Sequence, residues 1–144
     1  MTYHQGLSDG VLHILDINSQ IASVNVNGLT IDTQGWDGIE YKFVVGTMAN
    51  GATFDARVVS SANSNMSGNT NLTNAAITQM TNASNANLVI IDVWRPTNRY
   101  VRSAVQAGTA NSTFGCVATL YRRTGTTPVT QNANTKEVVK VAVN

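Results

Sequence analysis

Residues able to do covalent chemistry are few in this sequence, and their spacing assembles no reaction centre. Nucleophilic catalysis needs a nucleophile, a base and a group that orients the base. The histidines are His4, in a polar N-terminal run, and His13, in the first apolar stretch; the single cysteine is Cys116. Cys116 alternates with Phe114, Ala118 and Leu120 on one apolar face, which reads as a buried thiol rather than a nucleophile. No His, Cys and acidic residues share metal-ligand spacing, so neither a metal nor another cofactor is expected. Paired carboxylates for glycoside hydrolysis would come from Asp9, Asp16, Asp32, Asp37, Glu40, Asp55, Asp92 and Glu137. Most of these fall in turns or opposite a base and read as surface charges. Val-Gly-Thr and Ala-Gly-Thr lack the rest of a phosphate-cradling loop. The expectation is a protein that is not an enzyme and has no small-molecule substrate.

Binding chemistry is better represented. Trp36, Trp94, Tyr100 and Tyr121 have the side chains of a sugar platform, although core and rim positions of a β-fold use the same residues. Arg95, Arg99, Arg102, Arg122 and Arg123 come nearest to a basic cluster, yet the formal net charge is only +1. Nucleic-acid binding needs a denser row of cations to displace counterions from phosphates, so no nucleic-acid partner is expected. Candidate interaction residues are Tyr3, His4, Trp36, Trp94, Arg95, Arg99, Arg122 and Arg123.

The elements that must position them are strands. At 144 residues the chain is the size of one domain, which buries about 70% of its extended surface without a disulfide or metal. Charged residues make up 12% and the apolar share is 42%, with the balance rich in Asn, Thr, Ser and Gly. Thr and Val suit strands, and Asn and Gly suit turns. Around Asn50-Gly51, the run Ile39 to Val59 reads as a hairpin with a type I′ turn, setting Val45 opposite Ala56 and Phe43 opposite Val58. Around Asn27-Gly28 a second hairpin sets Val26 opposite Leu29 and Val24 opposite Ile31. Leu88 to Trp94 reads as a central strand. A turn at Pro96 then pairs Asp92 with Arg102 and stacks Trp94 with Tyr100. Within the polar stretch 60–87, Leu72, Ala75, Ala76, Ile77 and Met80 have helical spacing, leaving room for one short helix near 72–80.

About eight strands in one domain predict an all-β, antiparallel β-sandwich of jelly-roll or Greek-key type. Its expected organisation is a flexible arm at 1–10, the sandwich at 11–123, a linker at 124–135 and a last strand at 136–144. That strand completes its own sheet or reaches a neighbouring subunit; the sequence does not choose. No apolar run is long enough to span a membrane, and the N-terminus does not read as a signal peptide, so synthesis in the cytoplasm is expected.

Three segments carry a resemblance. Ile31-Asp-Thr-Gln-Gly-Trp-Asp-Gly-Ile-Glu-Tyr-Lys-Phe-Val-Val-Gly-Thr47 resembles small virion proteins of tailed bacteriophages, in which a strand ending Asp-x-Gln-Gly-aromatic-Asp leads to one closing in Val-Gly-Thr. Asn98-Arg-Tyr-Val-Arg102 and the run from Arg122 to Val129 resemble later parts of the same proteins. The resemblance implies a structural protein of the virion, in its decoration (cement) form an oligomer, dimer or trimer, on the major capsid protein at the head surface. A head–tail connector, tail or fibre-base component is the second version within virion structure. A rival from another class is a carbohydrate-binding module for host adsorption, using Trp36 or Trp94.

Overall fold

The computed structural model describes residues 7–123, 129–131, 133 and 135. After one helical turn, α1 (Leu7–Gly10), come ten strands: β1 (Leu12–Ala22), β2 (Asn25–Asn27), β3 (Ile31–Asp32), β4 (Trp36–Met48), β5 (Thr53–Ser61), β6 (Thr70–Ala76), β7 (Met80–Thr81), β8 (Asn87–Trp94), β9 (Tyr100–Gly108) and β10 (Ser112–Arg123). They form two antiparallel sheets, as the sequence predicts. The first has the order β1-β10-β4-β8; the second has β2-β9-β5-β6, with β3 also on β9 and β7 on β5. Among strands adjacent in sequence, only β5 and β6 pair. Most other connections carry the chain from one sheet to the other.

The Asn-Gly sites show how this differs from hairpins. Ala52 N–H donates to the Ala49 carbonyl at 2.9 Å across Asn50-Gly51, and Gly51 takes φ +79°. Asn50 is not left-handed, so the turn is not type I′. It lifts the chain out of β4, in one sheet, into β5, in the other. The faces predicted for the hairpin are right and the pairing is not. Ile39, Tyr41, Phe43 and Val45 meet Phe54, Ala56 and Val58 face to face across the core, with all seven buried. Phe43 and Phe54 lie 6.3 Å apart edge-on, and Phe54 and Phe114 are 5.2 Å apart. Full burial of such side chains stabilises by about 1.5–3 kcal/mol each.

Asn27-Gly28 makes no hairpin either. β2 and β3 both lie along β9, and Gly28 N–H donates to Ser103 O at 3.0 Å between them. The glycine is there for close approach: a Cβ would collide with the Asp16 carboxylate and the Ser103 hydroxyl. Asp16 itself is the extra residue of a bulge between Leu15 and Ile17 in β1, where Asp16 and Ile17 both face the core. Read from sequence as a surface charge, it is buried, accepting from Leu29 N–H at 2.8 Å and from the Ser103 hydroxyl.

The expected helix near 72–80 is absent; those residues form β6, a turn and β7. The cause is a bulge. Between Arg57↔Ala76 and Val59↔Asn71 the register slips, and Asn74 takes φ +62°. The slip puts Leu72 and Ala75, three apart, into the same core, which imitates helical spacing. A short 3-10 turn follows at Asn82–Ser84. Part of the expected linker is tied to α1 and the start of β1: Val129 N–H donates to Asp9 O, while the Gln131 amide donates to Ser8 O and Val11 O and accepts from His13 N–H. Tyr3, His4 and the expected strand 136–144 lie outside the described residues.

Candidate interaction surfaces

Alternation along the first sheet decides what it shows to solvent. Its inner side chains fill the core; its outer ones include Leu15, Val44, Leu88, Ile90 and Trp94, all exposed. Val44 pairs with Leu88 and Lys42 with Ile90 across β4 and β8, and Val117 lies between Leu15 and Lys42. Val44 and Leu88 are each 58% exposed and Ile90 49%. β8 was predicted to be central, and it is an edge strand. Its run Leu88-Val-Ile-Ile91 is apolar on both faces although only one face is core.

At one end of this face stands an aromatic platform. Gly38 in β4 pairs with Trp94 of β8 on one side and Tyr121 of β10 on the other. A Cβ at Gly38 would run into the Tyr121 ring tip, so the glycine lets that ring lie across the middle strand. Trp94 and Tyr121 therefore stack, with centroids 6.2 Å apart and planes 24° from parallel. The Tyr121 hydroxyl donates to Asp92; burial, and then this hydrogen bond, raises the pKa of Tyr121. Two guanidiniums close on the indole: Arg95 at 5.3 Å and Arg122 at 4.9 Å from its centroid.

Of the candidate residues, the structure unites Trp94, Arg95 and Arg122. Trp36 and Arg99 lie across a cleft of about 390 Å³ that Arg95 also lines. Arg99 is engaged: it grips Asp32 through two hydrogen bonds of 2.8 and 2.7 Å and lies 5.1 Å from the Tyr100 ring centroid. Arg123 pairs with Trp36 at the end of β10. The predicted contacts of Asp92 with Arg102 and of Trp94 with Tyr100 do not form, because β8 and β9 belong to different sheets. Sequence reasoning missed Gly38 and the Tyr121–Asp92 bond; a glycine inside the run Trp36–Met48 was the available signal.

The reactive groups are locked away. Burial, and then the neighbouring Asp16, push the Cys116 thiol far above its ordinary range, so no thiolate forms. His13 is held toward its neutral form by burial and by Lys42, with Nδ1 3.2 Å from the Thr119 hydroxyl. Among the described residues no group of three His, Cys, Asp or Glu could hold a metal ion, and no helix is long and apolar enough to cross a membrane.

Known structures share this fold. The chain aligns with the crystal structure of the phage PBSX exported protein XepA at a TM-score of 0.60 and 15% identity, over 99% of this chain and 47% of that one. It thus spans about half the length of that protein. A Clostridium thermocellum xylanase 10B structure, with CBM22-1 and GH10 modules and xylohexaose, aligns at 0.41 and 10% identity over 85% of this chain and 28% of that one; so low a score carries no argument. No protein-family model and no curated protein matches the chain.

Proposed function

We propose that this protein is a non-enzymatic structural component of a phage particle, which works by docking the outer face of its four-stranded sheet against another subunit. The observation that carries this reading is the apolar row Leu15, Val44, Leu88 and Ile90, left facing solvent on a rigid sheet. Exposed apolar surface of this kind on one face of a sheet marks a protein interface. The fold held in common with a phage protein agrees with it.

In the form favoured here the partner is the major capsid protein, and the chain decorates and stabilises the head as a homo-oligomer. The test adds purified protein to particles lacking it and counts bound copies by quantitative mass spectrometry. Hundreds of copies per particle, lost with V44D/I90D and kept with Arg57→Ala on the opposite sheet, support decoration. A few copies per particle would move the protein to the connector or tail. No attachment, or attachment indifferent to V44D/I90D, overturns the docking face.

A further inference from the structure

The platform end has features that docking through an apolar row does not use. Arg95 and Arg122 both take left-handed backbone, at φ +49° and +52°, directly after Trp94 and Tyr121. Residues other than glycine adopt that region only where the surroundings impose it, and such positions gather at binding sites. Here Arg95 follows the end of β8 and Arg122 is the next-to-last residue of β10, on the two sides of β4, and both guanidiniums come onto one indole. Among the described residues neither arginine forms an ion pair, whereas Arg99 at the same end has Asp32. Nearby Asp92 is occupied by the Tyr121 hydroxyl. Two like charges are thus gathered with no carboxylate bonded to either among the described residues, an arrangement that an anion from outside would complete.

The surroundings indicate what carries the anion. Arg95 stands between two clefts. One, of about 580 Å³, runs between β6 and β8; the other is the cleft of about 390 Å³ beside Trp36. Their polar lining includes Asn74, Thr97, Gln34 and Asn98, neutral groups that donate and accept hydrogen bonds, together with one carboxylate each, Asp92 in the first and Asp37 in the second. Ring faces, amides, hydroxyls and forked guanidiniums together fit a sugar ring bearing an acidic group. A nucleic acid would need a longer row of cations than a chain of net charge +1 presents. We infer that the Trp94–Tyr121 platform with Arg95 and Arg122 binds an acidic polysaccharide, its carboxylate or phosphate held between the two guanidiniums. This site is separate from the apolar row and stands or falls independently of the particle reading.

The test is affinity electrophoresis and titration calorimetry of the full chain at fixed salt. The probes are polygalacturonate for carboxylate, a phosphomannan for phosphate, dextran as the neutral control and polyglutamate as an acidic peptide. Binding to either acidic polysaccharide with none to dextran is expected, and which of the two binds identifies the anion. R95Q/R122Q, two exposed substitutions checked for an unchanged circular dichroism spectrum, should weaken it at least tenfold, and Arg57→Gln should not. Binding to neither acidic polysaccharide, equal binding to dextran, polyglutamate binding as tight as the glycan, or full affinity in R95Q/R122Q each overturns the site.

Discussion

The two sheets enclose one core, but their outer faces are built differently. On the six-stranded sheet, β5 and β9 turn Asp55, Arg57, Arg102 and Gln106 outward, and Gln79 reaches across to Asp55 at 2.8 Å. On the four-stranded sheet the corresponding positions carry Leu15, Val44, Leu88 and Ile90. One face alternates apolar-in and polar-out, as an antiparallel sheet facing water does. The other sets exposed apolar side chains beside the Lys42–Glu40 ion pair and Asp92, and ends in a stack of rings and guanidiniums. Since the core needs only the inner faces, the second pattern is surplus to folding, and it is where function is to be sought.

That division is broken most easily from inside. Phe54 is fully buried between Phe43 and Phe114, so Phe54→Ala should cost about 3–5 kcal/mol, a fall in Tm of at least about 10 °C by calorimetry. Ile90→Asp on the apolar outer face should stay within about 0.5 kcal/mol of the parent. Comparable losses from the two would mean that Ile90 is covered within the monomer, and the contrast between faces would dissolve.

The same contrast explains what could be read from the sequence. Period-two alternation reports which face a side chain is on, so the core residues of β4, β5 and β10 were legible. It does not report which strand lies alongside. Asn-Gly signals a tight reversal, and both a hairpin and a passage between sheets satisfy it; at Asn50-Gly51 the chain takes the passage. Asp16 was illegible because the bulge puts Asp16 and Ile17 on one face, where alternation would place the isoleucine inward and the carboxylate outward. β8 misled for the reason that makes it interesting: its outer face is apolar without being core. The platform needs Gly38, Trp94 and Tyr121 from three strands, and no local pattern joins them.

Two glycines sharpen the comparison at smaller scale. Gly28 lies against the buried Asp16 and Ser103, which cannot retreat, so Gly28→Ala should cost about 2–3 kcal/mol in denaturant unfolding. Gly38 lies under the tip of Tyr121, a half-buried side chain that can swing away. Gly38→Ala should therefore cost only about 1 kcal/mol, while unstacking Trp94 enough to change tryptophan fluorescence and near-UV circular dichroism. A loss at Gly38 as large as at Gly28 would make the platform part of the framework and not an addition to it.

The smallest effects expected come from two carboxylates with opposite pH signatures. Burial raises the pKa of Asp16 above 3.8, although Ser103 and Leu29 hydrogen bonds work against it. The native state then holds this proton more tightly than the unfolded chain. Its contribution is complete below about 3.8 and is lost as pH rises through the native pKa. Asp32 is the reverse: hydrogen bonds from Arg99 lower its pKa, so its contribution exists above 3.8 and is lost as pH falls through the native value. The Arg99–Asp32 pair is exposed, which limits it to about 1 kcal/mol or less. Urea unfolding between pH 3 and 7 should show Asp16→Asn flattening the decline above 3.8 and Asp32→Asn flattening the decline below it. If Asp16→Asn leaves the upper slope intact, the Asp16 carboxylate is ionised and hydrated in the folded protein. Water must then reach the seam between β1 and β9, and the sheets are less closely joined there than the hydrogen bonds of Gly28, Leu29 and Ser103 imply.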